Sequence, residues 1–398
     1  MSSQRPSIRP LLVSLCLLAM LLLAACSGNA SSGNNGSDAN PPSATPTTSA
    51  PSTPTPVNGD SGGGGQSGGG NPTPVPLSQF TTYAGSQDGI FYGFNAQTGA
   101  QRWQYTIAGT PNKPWAVTNA VYVSTQSGYV YAFSKSGSLL WSKSVGGSTL
   151  SRPTMDSGLV YIGTDQGRVF ALNSTTGDVA WDYTTGGMIS GTIPVANGVA
   201  YTSAGGKLFA LKATNGSVIW NVSIGSVSEF TSPTVSNNVV YIGNDSGIVS
   251  ARRTSNGSEL WHFQAGGQIF GKPAVVNGVV YFGASDHYVY AVNTSNGSLK
   301  WKYQTGDSVN ESPTINYGIV YTASADGKLY ALDASSGTQK WHFSITGQKV
   351  SGGWTSVTSG YVYLGMSDGR VYALNASTGQ IIWKTQTSAA VTSPAIGQ

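Results

Sequence analysis

The chain has 398 residues, of which only 9% are charged, with 53 glycines and 20 tyrosines; this suits many short, tightly turned strands and leaves little room for long solvent-facing helices. Formal charge is +4, but Arg5 and Arg9 lie near the N-terminus, and the chain after Cys26 carries 18 basic and 16 acidic residues, so no concentrated positive face for a nucleic-acid backbone is expected. Both cysteines, Cys16 and Cys26, precede the globular part, which excludes a disulfide, a zinc cluster of cysteines, a haem-attachment motif and a thiol nucleophile there.

The first element is an apolar run, Leu11 to Ala25, behind Arg5 and Arg9. It is long enough for the core of a secretion signal and short for a membrane-spanning helix. The run ends in Leu23-Ala24-Ala25-Cys26, which resembles a bacterial lipobox, where a signal peptidase cuts before a lipidated cysteine. The resemblance implies a signal peptide over 1–25, lipid attachment at Cys26 and an exported chain anchored to the membrane, facing outside the cytoplasm at the cell surface or in the periplasm. From 26 to 79 the chain is rich in Gly, Ser, Pro and Thr, with Asp38 and Asp60 as its charges. Such a segment cannot bury a core and reads as a tether, flexible at SGGGGQSGGG and extended where proline recurs.

Residues 80–398 are built from one recurring unit, seen clearly from Tyr161 to Trp181 as YIGTDQGRVFALNSTTGDVAW. Its tryptophans are Trp103, Trp141, Trp181, Trp220, Trp261, Trp301, Trp341 and Trp383, spaced by 38, 40, 39, 41, 40, 40 and 42 residues. A period near 40 signals a repeat architecture. Turn residues cut each unit into four strands; in the third copy these are RPTMD, LVYIGT, RVFALN and DVAWDYTT. Seven of the eight prolines beyond the tether stand at the start of the predicted first strand, where a missing N–H is tolerated. The eighth copy departs from this, with Trp354 and Thr355 near that point. The first copy begins at its second strand, Thr81-Thr82-Tyr83, and the chain finishes on a lone first strand, Val391 to Ile396. The expected fold is therefore all-β: an eight-bladed β-propeller of four-stranded antiparallel blades, closed where the C-terminal strand completes blade one.

The segments RVFALNSTTGDVAW, KLYALDASSGTQKW and RVYALNASTGQIIW resemble the tryptophan-docking repeat of pyrroloquinoline quinone (PQQ) enzymes. That superfamily includes quinoprotein alcohol dehydrogenases and the propeller lipoprotein of the outer-membrane β-barrel assembly machinery, so the shared fold does not choose between enzyme and scaffold. The dehydrogenase resemblance would imply PQQ with calcium, an adjacent-cysteine disulfide, carboxylate and amide metal ligands and a catalytic aspartate. No adjacent cysteine pair exists here. Asp88, Asp165, Asp245, Asp286, Asp326 and Asp368 recur at similar places in the turn between second and third strands, which reads as turn chemistry. His262, His287 and His342 fall in different repeats and read as positional variation. No catalytic, cofactor-binding or metal-binding residue is assigned, and no cofactor is expected.

The eight repeat tryptophans are expected to dock blades structurally. Function is expected where the copies disagree, on the end that gathers the blade-to-blade loops: Trp115, Arg152, Glu229, Phe230, Phe270, Lys272, Glu311 and Trp354, with Lys113 nearby. The expected function is a non-enzymatic, lipid-anchored binding or scaffold module, monomeric, taking a protein, peptide or envelope glycan and no nucleic acid. The alternatives are a PQQ-dependent sugar or alcohol dehydrogenase and a ligand-sensing domain.

Overall fold

A computed structural model describes residues 76–227, 231–358 and 360–397, the side chains of 351–354 excepted. The signal peptide, Cys26 and almost all of the tether lie outside the described residues. Eight four-stranded antiparallel sheets follow one another in sequence order, so the all-β eight-bladed propeller expected from the repeat is the fold observed. Blade 3 is representative, with strands Thr154–Asp156, Leu159–Gly163, Arg168–Asn173 and Val179–Thr184 running from the centre outward. The first strands of neighbouring blades touch one another and so line a central channel.

The ring closes as the two chain ends require. Ala395–Gly397 pairs antiparallel with Thr81–Gly85, in the register Thr81↔Gly397, Thr82↔Ile396 and Tyr83↔Ala395, and a bridge joins Ser86 to Val391. Blade 1 is thus made of three N-terminal strands and one C-terminal strand, and closure removes the open edges at which a partial ring would pair with other chains. Blade 8 differs at its first strand, Val350–Thr358, which is nine residues long. Thr355 stands where the other blades carry proline, and beyond an irregularity the pairing resumes at Ser351↔Gly365 and Val350↔Met366.

The repeat letters have direct structural causes. In every blade the third-strand residue paired with the tryptophan is small: Gly93, Ala132, Ala171, Ala210, Ala251, Ala291, Ala331 and Ala373. A register shift follows each of them and lets the indole lie over the sheet. Each indole N–H then donates to a carbonyl in the turn between the third and fourth strands of the next blade, as in Trp181 to Ala213 at 2.8 Å, Trp261 to Thr294 at 2.7 Å and Trp341 to Ala376 at 3.0 Å. Trp383 closes the circle on Ala96 of blade 1 at 3.0 Å. The turn glycine of that next blade packs on the same ring: a Cβ on Gly297 would stand 2.5 Å from Trp261, and φ there is +71°. Only glycine meets both conditions. The first-to-second-strand hairpins place Ser157-Gly158, Asn197-Gly198, Asn277-Gly278 and Tyr317-Gly318 with both φ positive, the geometry of type I′ turns.

Replacing Trp261 by alanine removes a large packed ring and strands the Thr294 carbonyl. The loss expected is about 3 to 5 kcal/mol, read as a lower midpoint in denaturant or thermal unfolding; a variant within about 1 kcal/mol of wild type, the contribution of a single hydrogen bond, would show that the inter-blade wedge contributes little.

Candidate functional site

The loops joining one blade to the next and the turns between second and third strands share one end of the ring. Backbone bonds tie them together: Asp165 N–H to Ser148 O, Asp245 N–H to Ser226 O and Ala325 N–H to Ser308 O, each at 2.9 Å. From this end each chain segment dives into the channel at the repeat proline. The residue just before that proline is Lys113 in blade 2, Arg152 in blade 3, Ile193 in blade 4, Ser232 in blade 5, Lys272 in blade 6 and Ser312 in blade 7. In blades 5 and 7 the small hydroxyl ties its blade to the preceding one. Ser232 Oγ accepts the Thr192 N–H at 2.9 Å, and Ser312 Oγ accepts the Lys272 N–H at 2.7 Å. The long cations occupy the same level of the ring and reach into the lumen instead.

A cavity of about 470 Å³ fills this part of the channel, with Lys113, Trp115, Arg152 and Lys272 in its wall. Lys113 starts in blade 2, and its Nζ donates to the Thr355 carbonyl in blade 8 at 3.3 Å, past blade 1. Arg152 is held in two ways: Nε–H donates to the Pro114 carbonyl at 3.1 Å, and the guanidinium carbon lies 4.3 Å from the Trp115 ring centroid, a cation–π distance. Further along the same strands the wall turns apolar, with Met155, Val195, Val275 and Ile315.

Burial and mutual repulsion set the electrostatics of this layer. Removal from water pushes Arg152 down to about 9. The same desolvation, with the Arg152 charge added, pushes Lys272 down to about 8. Lys113 lies well below its ordinary value, chiefly through burial and then through Arg152 and Lys272, with Glu311 acting in the opposite direction. Among the described residues neither Arg152 nor Lys272 is part of an ion pair. Thr192, 3% exposed and also in the cavity wall, has an Oγ1 with no hydrogen-bond partner among the described residues.

The residues singled out in the sequence are therefore distributed as follows. Trp115, Arg152 and Lys272 come together in the channel wall, and Glu311 is close enough to act on Lys113. Phe270 is half-buried two residues before Lys272 and does not line the cavity. Glu229, Phe230 and the Trp354 side chain lie outside the described residues. Sequence reasoning passed over Thr192, whose hydroxyl looks like any other in a Thr-rich chain, and the apolar first-strand residues, which looked like ordinary core.

The turn aspartates divide into two sets. Asp286, Asp326 and Asp368 accept the hydroxyls of Tyr290, Tyr330 and Tyr372, the last two at 2.5 and 2.7 Å, and Asp286 and Asp326 also accept the Gly266 and Gly306 N–H groups at 2.9 and 3.2 Å. Asp88 stands at the same place but accepts the Ser86 hydroxyl at 2.6 Å, while Asp165 and Asp245 sit one position earlier in the turn. These contacts hold turns to loops. His262 contacts Glu259 at 2.6 Å, while His287 stands in blade 6 and His342 in blade 7. Among the described residues no three His, Cys, Asp or Glu side chains group as a metal-ligand set.

A family model described as outer membrane protein assembly factor BamB matches residues 88–261, 227–308 and 247–397. No curated protein matches the chain. Among solved structures, BamB from Moraxella catarrhalis superposes with a TM-score of 0.63 at 21% identity, over 70% of this chain and 89% of that one. The quinohemoprotein alcohol dehydrogenase from Comamonas testosteroni gives 0.61 at 16%, over 72% and 68%. AztD from Citrobacter koseri, in its apo form, gives 0.64 at 11%, over 80% and 97%. At these identities the likeness is one of fold.

The depressed Lys272 yields a stability prediction with a defined sign. Its folded value, about 8 against an ordinary 10.5, means that the unfolded chain binds more protons between those limits, so this group's penalty is complete below pH 8 and is relieved as pH rises through the window. Lys272→Met should therefore stabilise the protein at pH 7 by about 1 kcal/mol or more, and the wild-type-minus-variant difference should shrink toward pH 10.5. Urea unfolding at pH 7 and pH 10 reads both; a destabilised variant at pH 7 would contradict the penalty.

Proposed function

Because the chain belongs to the family of the outer membrane protein assembly factor BamB, we propose that it is a non-enzymatic binding or scaffold module. It is lipid-anchored at Cys26, faces outside the cytoplasm, and takes a protein, peptide or envelope glycan on the loop end of its ring. The observation that carries this reading is the meeting of Lys113, Arg152, Lys272 and Glu311 from four blades over the channel, with Trp115 beneath Arg152. Aromatic and arginine anchors beside desolvated charge are the composition of a recognition surface. The three cations stand at positions where other copies carry Ile193, Ser232 or Ser312, so the fold itself does not require them.

A long tether suits this role. Some 50 residues of flexible chain give a reach of roughly 40 Å, which lets the ring turn its loop end toward a partner above the lipid surface.

Cross-linking of the full-length chain in its native envelope tests the reading. Wild type should yield a defined adduct that is lost when Lys272→Glu and Glu311→Lys are combined and kept when Lys384→Glu, on the outer strand of blade 8, is introduced instead. Equal loss in both variants, or turnover of an artificial dye on adding PQQ and calcium, would overturn it. For the anchor, intact mass spectrometry of the membrane-extracted protein should show a chain beginning at Cys26 with acyl chains attached; a chain retaining residues 1–25 would refute lipid attachment.

A further inference from the structure

Lys113 and Arg152 enter the channel from blades 2 and 3 and Lys272 from blade 6, while Glu311 of blade 7 lies close enough to act on Lys113. In a ring of eight, blades 2 and 6 stand opposite one another, as do blades 3 and 7, so these side chains converge across the lumen rather than along one wall. With Asp156 further along the first strand of blade 3 counted beside Glu311, three cations meet two carboxylates, a net positive charge in a concave, half-buried place. Such an arrangement raises the local concentration of anions and strengthens their hydrogen bonds.

The donors that remain have a definite shape. Arg152 spends Nε–H on the Pro114 carbonyl and one face on Trp115, which leaves its terminal N–H groups as a flat two-donor edge, the geometry that matches a carboxylate. Thr192 adds a hydroxyl that is 3% exposed, lines the same cavity and has no partner; a buried polar group in that condition is costly unless a ligand or water completes it. Beyond the charged level the first strands present Met155, Val195 and Ile315, an apolar wall that a bare inorganic ion would leave unused. The volume, about 470 Å³, falls within the range of small-molecule sites, roughly 300–1,000 Å³.

We propose that the channel binds an organic carboxylate, its oxygens held by Arg152, Lys272 and the Thr192 hydroxyl and its apolar stem lying against Met155, Val195 and Ile315. The carboxylate is carried either by a free small acid or by an acidic side chain of a docked partner. The inference builds on the binding reading of this end of the ring, but it does not require that the partner be a macromolecule.

Isothermal titration of the full-length protein distinguishes the possibilities with four probes: 3-phenylpropionate, its neutral amide, the capped peptide acetyl-Leu-Glu-Leu-amide and its Gln counterpart, with inorganic phosphate as a further titrant. The expected result is binding of at least one carboxylate, weakened by roughly tenfold or more in the matching amide. Phenylpropionate binding identifies a free acid as the source, and binding of the Glu peptide alone identifies a partner's side chain. Arg152→Gln and Lys272→Gln should each weaken the carboxylate by roughly tenfold, while Arg152→Lys restores part of the loss; thermal midpoints of all three check folding. Amides that bind as well as acids, phosphate that binds more tightly than either carboxylate, or no carboxylate binding at millimolar concentration would each overturn the proposal. Small-acid binding without any cross-linked partner would sink the scaffold reading alone, and a cross-linked partner with no carboxylate binding at millimolar concentration would sink this inference alone.

Discussion

The ring depends on one inter-blade interaction used eight times: an indole N–H donating to a turn carbonyl of the next blade, with that turn's glycine flat against the indole face. The bond is directional, so it fixes where the neighbouring turn must lie. The glycine contact fixes how closely it approaches, since a Cβ would overlap the ring. Tyrosines of the second strand reinforce the same point: Tyr161 and Trp181 both donate to the Ala213 carbonyl, as Tyr321 and Trp341 do to Ala376. One carbonyl therefore receives two buried donors, and neither is left unsatisfied where leaving it so would cost most. Because Tyr363 and Trp383 of blade 8 make this pair with Ala96 of blade 1, the outer ring closes with the same bonds that build it.

A second, inner ring of bonds works near the channel. In blades 3, 5, 7 and 8 a hydroxyl just after the repeat proline, or after Thr355 in blade 8, donates to a carbonyl of the following blade: Thr154 to Ile193 at 2.6 Å, Thr234 to Pro273, Thr314 to Thr355 at 3.2 Å and Ser356 to Pro394 at 2.9 Å. The outer docking sets the angle between blades, and the inner bonds set their radial separation at the lumen. Between these two constraints the first strands have little freedom to move apart, which bears directly on the charged layer that they carry.

Most of this was legible in the sequence because it repeats. The tryptophan period, the proline at seven first strands and the unfinished first copy all point to one closed eightfold ring. The site was legible only as disagreement between copies. Arg152 and Lys272 stand out because serine occupies the same place in blades 5 and 7, yet nothing in a linear reading says that Lys113 spans past a whole blade to Thr355 or that Thr192 is left without a partner. Those facts depend on which blades face one another across the channel. The turn aspartates show the converse: the one-position difference between Asp165 and Asp326 is plain in the sequence, but its consequence becomes clear only from which groups each carboxylate accepts.

The rigidity of the ring and the charge of its channel are best understood together. Three cations at equivalent places on a flexible scaffold would swing apart and recover their hydration. Here the tryptophan docking bonds hold blades 2, 3 and 6 in fixed positions, so desolvation, with repulsion added at Lys113 and Lys272, persists in the free protein and appears as the depressed Lys113, Arg152 and Lys272. The seven prolines add to this, since each pins φ at the residue that follows the loop. A scaffold that tolerates such a layer must draw its stability from elsewhere, and the eight tryptophan wedges are where it does so. The same rigidity means that an anion entering the channel meets donors already in place and already dehydrated, so little ordering cost is left to be met on binding. Architecture and recognition are therefore carried by different letters of one repeat, the constant tryptophan and glycine at the rim and the variable residue before proline at the centre.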